Sequence, residues 1–130
     1  MAAEPIWIEE FEADVLHERL LAIHGGPVGV RDAGLLSSAV APPRQIAAYG
    51  KEIDLIDLAS ACTFGIVKNH PFIDGNKRTG FVVGVLFLEM NGYRFTATED
   101  DAAGAVFAVS DGTLDEAGYT LFLRRNTRSA

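Results

Sequence analysis

The stretch Lys68-Asn69-His70-Pro71-Phe72-Ile73-Asp74-Gly75-Asn76-Lys77-Arg78-Thr79 holds more reactive side chains than a connection between two helices requires. An imidazole, a carboxylate, a glycine, an amide and two adjacent cations together suit the handling of a bound phosphate. His70 can take a proton from a hydroxyl, because imidazole exchanges protons near neutral pH. Asp74, four residues on, can hold a divalent metal that bridges nucleotide phosphates, or can orient the incoming hydroxyl. Gly75 lets an anion come close to the backbone. Asn76 opens an apolar helical run whose first N–H groups have no partner within the helix. Lys77 and Arg78 stand in that first turn, where positive charge opposes the helix dipole and costs stability unless an anion compensates it. Lys68 adds a third cation. The chain has 11 basic and 18 acidic residues and a formal charge of −7, so positive charge is gathered here against the general trend. Pro71 stiffens the loop, and Phe72 is suited to pinning it into a core. A histidine before proline is by itself commonly a helix end, and Gly-Asn commonly a turn. It is the joint pattern that implies chemistry.

Two apolar helices must hold this loop. Asp54 to Asn69 precedes it, with Leu55, Leu58, Ala59, Cys62 and Ile66 on one face and Ile56, Phe64 and Val67 widening it. Asn76 to Asn91 follows it and is apolar almost all round, as a central helix should be. Gly80 and Gly84, four apart, allow another helix to approach closely. Upstream, Glu9 to His24 reads as an amphipathic helix through Phe11, Val15, Leu16, Leu20 and Ile23, with His17 and His24 in helix-face or dipole roles. Asp32 caps a helix over Ala33 to Val40, and a short helix is expected around Arg44 to Tyr49, ending at Gly50. Thr98 caps a helix to about Val109, and a last helix follows Thr113 and ends at Arg124-Arg125. Extended segments are limited to Ile6–Ile8 and Tyr93–Thr96. The expected fold is all-α, a compact bundle of six or seven helices around a central apolar helix, forming one domain over residues 1–130.

The net charge makes direct nucleic-acid binding and an anionic membrane surface unfavourable. The most apolar run, Thr79 to Leu88, is about half the roughly 20 residues a spanning helix needs. The acidic N-terminal stretch lacks the basic-then-apolar order of a secretory signal. Cys62 is the single cysteine, in an apolar setting that suggests a buried thiol, and a reducing cytoplasm is the expected location. Arg124, Arg125 and Arg128 form a weak basic tail to which no function is assigned.

The segment HPFIDGNKRTG resembles the signature loop of the Fic/Doc family: a His, a Phe two residues later, an acid, a small residue, then Asn-x-Arg. GGPVGVRDAGLLSSAV and GFVVGVLFLEMNGYRF are similar to the corresponding parts of its Doc-type members, so the likeness covers most of the chain. The resemblance implies the helical Fic fold, a nucleotide, and a neighbouring antitoxin. Adenylyl transferases of the family usually have Gly after the motif Asn and a second Arg three residues after the first. Here those positions are Lys77 and Phe81. The resemblance therefore implies the Doc-type reaction, transfer of the terminal phosphoryl group of ATP, with Mg2+, to a protein hydroxyl. Elongation factor Tu is the implied target, and arrest of translation the implied outcome. Carried over by position, His70 is the base, Asp74 the metal or hydroxyl partner, and Gly75, Asn76, Lys77 and Arg78 the phosphate cradle, with Lys68 contributing. Adenylyl transfer, a non-catalytic module for an antitoxin or other partner, and a ribonuclease are the alternatives. The acidic charge and the lack of a second candidate base weigh against the ribonuclease.

Overall fold

A computed structural model of the chain describes residues 5–27, 29–41, 43 and 53–130. Six helices and two short strands occur among them: α1 (Glu10–His24), α2 (Ala33–Val40), α3 (Leu55–Asn69), α4 (Asn76–Met90), β1 (Tyr93–Phe95), α5 (Glu99–Asp111), α6 (Glu116–Arg125) and β2 (Thr127–Ser129). The short helix expected around Arg44 to Tyr49 lies outside the described residues.

Most helix starts follow from side chains that occupy the orphan N–H groups. Asp32 accepts from Leu35 N at 3.1 Å, Asp54 from Asp57 N at 3.0 Å, Thr98 from Asp101 N at 3.1 Å and Asp115 from Gly118 N at 2.8 Å. At α1, Glu12 reaches back to accept from Glu9 N at 2.9 Å. The start of α4 is different, since its cap Gly75 has no side chain to offer.

The antiparallel pair α3 and α4, joined by the motif loop, forms the centre. Glycine sets their spacing: a Cβ on Gly80 would meet Val67 Cγ2 at 2.8 Å, and one on Gly84 would collide with the Thr63 hydroxyl. The expected close approach is therefore realised between these two helices. Thr63 Oγ1 donates across it to Gly80 O at 2.7 Å, in a fully buried setting where a good hydrogen bond matters most. Burial runs furthest along α3, where ten of fifteen residues are buried. On α4, Val83, Phe87 and Leu88 enter the core, while Phe81, Val82 and Val85 stay partly open along one side.

Two expectations need correction. The segment Ile6–Ile8 is not a strand. Ile6 N donates to Asn91 Oδ1 at 2.8 Å and Ile6 O accepts from Asn91 Nδ2 at 2.9 Å, so one side-chain amide does what a neighbouring strand would have done. Tyr93–Phe95 does pair, with Thr127–Ser129, from Tyr93 opposite Ser129 to Phe95 opposite Thr127. Helix α1 is also rotated from its expected face. Phe11 and Ile23 are 69% and 74% exposed, and the buried line is Ala13, His17 and Leu21, at four-residue spacing. Only Leu16 and Leu20 of the expected stripe turn partly inward. A small residue and a ring occupy the contact because α1 packs against the motif loop.

Candidate active site

The motif loop is tied down carbonyl by carbonyl. At its entry, α3 ends on His70, whose backbone is left-handed (φ 49°, ψ 56°), a conformation uncommon outside glycine. Arg31 secures that end: its Nε donates to His70 O at 2.8 Å and its Nη2 to Asn69 O at 3.1 Å. Pro71 O accepts from Arg31 N at 2.7 Å and from Asp32 N at 3.3 Å, while Ile73 N donates to Gly29 O at 3.2 Å. The strip before α2 thus runs against the loop, with Val30 and Phe72 bridged antiparallel. Phe72 is fully buried, as its pinning role requires.

Asn76 closes the loop on itself. Its Oδ1 accepts from Phe72 N and its Nδ2 donates to Phe72 O, both at 3.0 Å, and the residue is buried. The family resemblance implies a place for Asn76 in the phosphate cradle. Its side chain holds the loop shape, and its backbone N–H stands at the first position of α4.

Among the described helices, this start of α4 is the open one. Gly75 caps it with no side chain, in a left-handed conformation (φ 79°, ψ 16°), and no acid stands in the first turn. Lys77 and Arg78 stand there instead, both exposed. Free N–H groups and the Lys77 and Arg78 charges stand where the other described helices have a carboxylate or hydroxyl. That end is electropositive and lacks an internal counter-charge on its own turn.

His70, Ile73, Asp74, Gly75, Asn76, Lys77 and Arg78 line one cleft of about 290 Å³. The side chains of His70 and Asp74 are exposed. Six of the seven expected site residues therefore share a single opening. Lys68 does not. Its Nζ donates to Val109 O at 3.3 Å and lies 5.9 Å over the Phe64 ring, so it serves the C-terminal end of α5 and is withdrawn from the cradle. Among the described residues no cluster of three or more His, Cys, Asp or Glu converges on a point. Asp74 is the carboxylate at hand, which fits Mg2+, an ion that binds through one or two carboxylates plus phosphate oxygens and keeps several waters.

Two features of the site escaped the sequence. His17, on α1, is fully buried, and its Nε2 donates to Asp74 O at 2.6 Å. Its ring stacks on Phe72 with centroids 3.8 Å apart and planes within 8°. The spacing of α1 offered no sign of this. The second is an apolar groove of about 700 Å³ that adjoins the cleft through Lys77 and Arg78 and continues along Phe81, Val85, Phe95 and Val106. Its signal was present in the all-round apolar pattern of α4, which was read as burial alone.

Residues 7–88 match the model of the Fic/DOC family. The chain is 42% identical over 89 residues to a protein of Mycolicibacterium smegmatis named Toxin Doc, covering 67% of each chain. It is 30% identical over 81 residues to the protein of Escherichia phage P1 named Protein kinase doc, covering 62% of this chain and 64% of that one. The matched stretches thus span about two thirds of each relative's length.

Proposed function

The chain belongs to the Fic/DOC family, and from that premise we propose that it is the toxin of a toxin–antitoxin module, a phosphotransferase that modifies a protein hydroxyl at the expense of ATP. Elongation factor Tu is the proposed target, and arrest of translation in the cytoplasm the proposed consequence. The observation that carries this reading is the open start of α4. Backbone N–H groups, Lys77 and Arg78 converge there on the cleft that also presents His70 and Asp74.

In this mechanism the terminal phosphates of ATP lie against the N–H groups of Gly75, Asn76 and Lys77, with the Lys77 and Arg78 side chains meeting their charge. His70 takes the proton of the acceptor hydroxyl. The hydroxyl oxygen bonds to the γ-phosphorus as the bond to the β,γ-bridging oxygen breaks, leaving ADP. Asp74 would hold Mg2+, which would supply positive charge against the terminal phosphates. The loop ties described above keep these groups in place through the reaction, so little reorganisation is required. Lys77 also favours terminal transfer over adenylyl transfer, because its side chain occupies space that a glycine would leave to the inner phosphates. A cognate antitoxin would be a natural occupant of the apolar groove, from which it would cover Lys77 and Arg78.

Incubation with elongation factor Tu and ATP carrying label on either the α or the γ phosphorus tests the proposal. Label from the γ position alone, lost in His70→Ala, is expected. Label from the α position means adenylyl transfer, and label from neither excludes this target.

A further inference from the structure

His17 belongs to no motif and lies 57 residues before its partner, yet it is the only α1 side chain hydrogen-bonded to the loop among the interactions described. A packing role alone would not call for histidine. The site is fully buried, and Nδ1 has no hydrogen-bond partner, so the imidazole carries an unsatisfied polar atom that phenylalanine or leucine would not. What the imidazole provides in return is one bond, from Nε2–H to the carbonyl of Asp74. Because that acceptor is a carbonyl, the ring must carry its proton on Nε2.

The bond has a geometric consequence. In a planar trans peptide the C=O and the following N–H point in opposite directions. Fixing Asp74 O toward buried His17 therefore turns the N–H of Gly75 away from α1, and Gly75 is one of the residues that line the cleft. The ring also lies against Gly75 itself: a Cβ there would meet His17 Cδ2 and Nε2 at 3.5 Å. Stacking on Phe72 fixes the plane of the imidazole, so the donor cannot swing away.

We propose that His17 is a positioning residue for phosphate binding: it sets the Asp74–Gly75 peptide so that the Gly75 N–H precedes the N–H groups of α4 as one more donor to the anion. This rests on the phosphate-binding reading of the cleft, although it does not depend on which group is transferred or to which protein. His17→Phe keeps the stack and removes the donor, and His17→Gln restores a side-chain N–H of similar reach. Three readouts apply to each purified variant: thermal midpoint, affinity for Mg-ADP by calorimetry, and the amide shift of Gly75 by NMR.

The expected result is that His17→Phe remains folded, shifts the Gly75 amide without ligand and binds Mg-ADP about tenfold more weakly, while His17→Gln recovers most of both. An unchanged Gly75 amide and unchanged Mg-ADP affinity in folded His17→Phe overturns the proposal. If His17→Phe does not fold, His17→Gln decides: a Gly75 amide shift and an Mg-ADP affinity that stay at wild-type values or change together support the proposal, and a change in either one without the other overturns it. Failure of the wild-type protein to bind Mg-ADP at all overturns the phosphate reading instead, and the Gly75 shift in His17→Phe then still tests the peptide orientation.

Discussion

Replacing Asn76 by alanine tests whether the motif asparagine is a structural clamp. The substitution removes two hydrogen bonds of 3.0 Å, both to the backbone of Phe72, a residue with no exposed surface. A neutral hydrogen bond contributes about 1 kcal/mol net, and a buried backbone group left unpartnered costs about 1–3 kcal/mol. Water entering from the cleft side offsets part of the second cost, which leaves a destabilisation of about 2–4 kcal/mol. Asn76→Asp sharpens the test. It retains the acceptor for Phe72 N but sets a carboxylate oxygen against Phe72 O where the amide had donated. An acid in the first turn of a helix is ordinarily worth about 0.3–1 kcal/mol of stabilisation. If the clamp dominates, Asn76→Asp is nonetheless destabilised by an amount similar to Asn76→Ala. Urea unfolding followed by circular dichroism, without nucleotide, measures both. Values within about 0.5 kcal/mol of wild type for the two variants would refute the clamp.

Further consequences follow from the packing and the charges. Gly84→Ala drives a methyl into the Thr63 hydroxyl and against Ala59 O, and should cost about 1–3 kcal/mol by forcing α3 and α4 apart, read from the same urea curves. Burial works to raise the Asp54 pKa, but the Arg124 hydrogen bond, the bonds to Asp57 and the Arg124 charge outweigh it and hold the carboxyl at about 2 against an ordinary 3.8. A depressed carboxylate pKa adds stability above the unfolded value that is lost as pH falls through the folded one. The loss should thus lie between about pH 4 and pH 2, and Asp54→Asn should abolish it. Asp54 is 47% exposed, so solvent screening limits the contribution to about 1 kcal/mol or less, measurable as the change in urea midpoint across that window. Burial pushes the Cys62 thiol up to about 12. A thiol reagent at pH 8 should leave it unmodified in the native protein and react at once after unfolding; rapid native-state labelling would contradict the packing of α3.

Much of this arrangement was legible in the residues. Asp32 and Thr98 mark helix starts because their side chains accept from N–H groups three positions on, a local relation that spacing reveals. The motif loop was legible for the same reason, since the residues that line its cleft are neighbours in the chain. What could not be read is decided between distant segments. The inward face of α1 is set by the loop it meets, so Ala13 and His17 displace the more apolar Phe11 and Ile23 from the contact. Ile6 has strand character, but its backbone partner is an amide 85 residues away. Lys68 counts as a local cation in sequence, yet the C-terminal end of α5, packed alongside, claims its ammonium group. Asn76 carries polar chemistry that spacing alone cannot assign to ligand or to backbone.

On the proposed reading, the start of α4 holds the phosphates of a nucleotide beside His70. An NMR titration of the nitrogen-labelled protein with Mg-ATP addresses it directly. The amides of Gly75, Asn76, Lys77 and Arg78 should shift together and saturate, with the His70 ring responding over the same concentrations. Shifts confined to the apolar groove around Phe81, Phe95 and Val106, with those four amides unmoved, would contradict it.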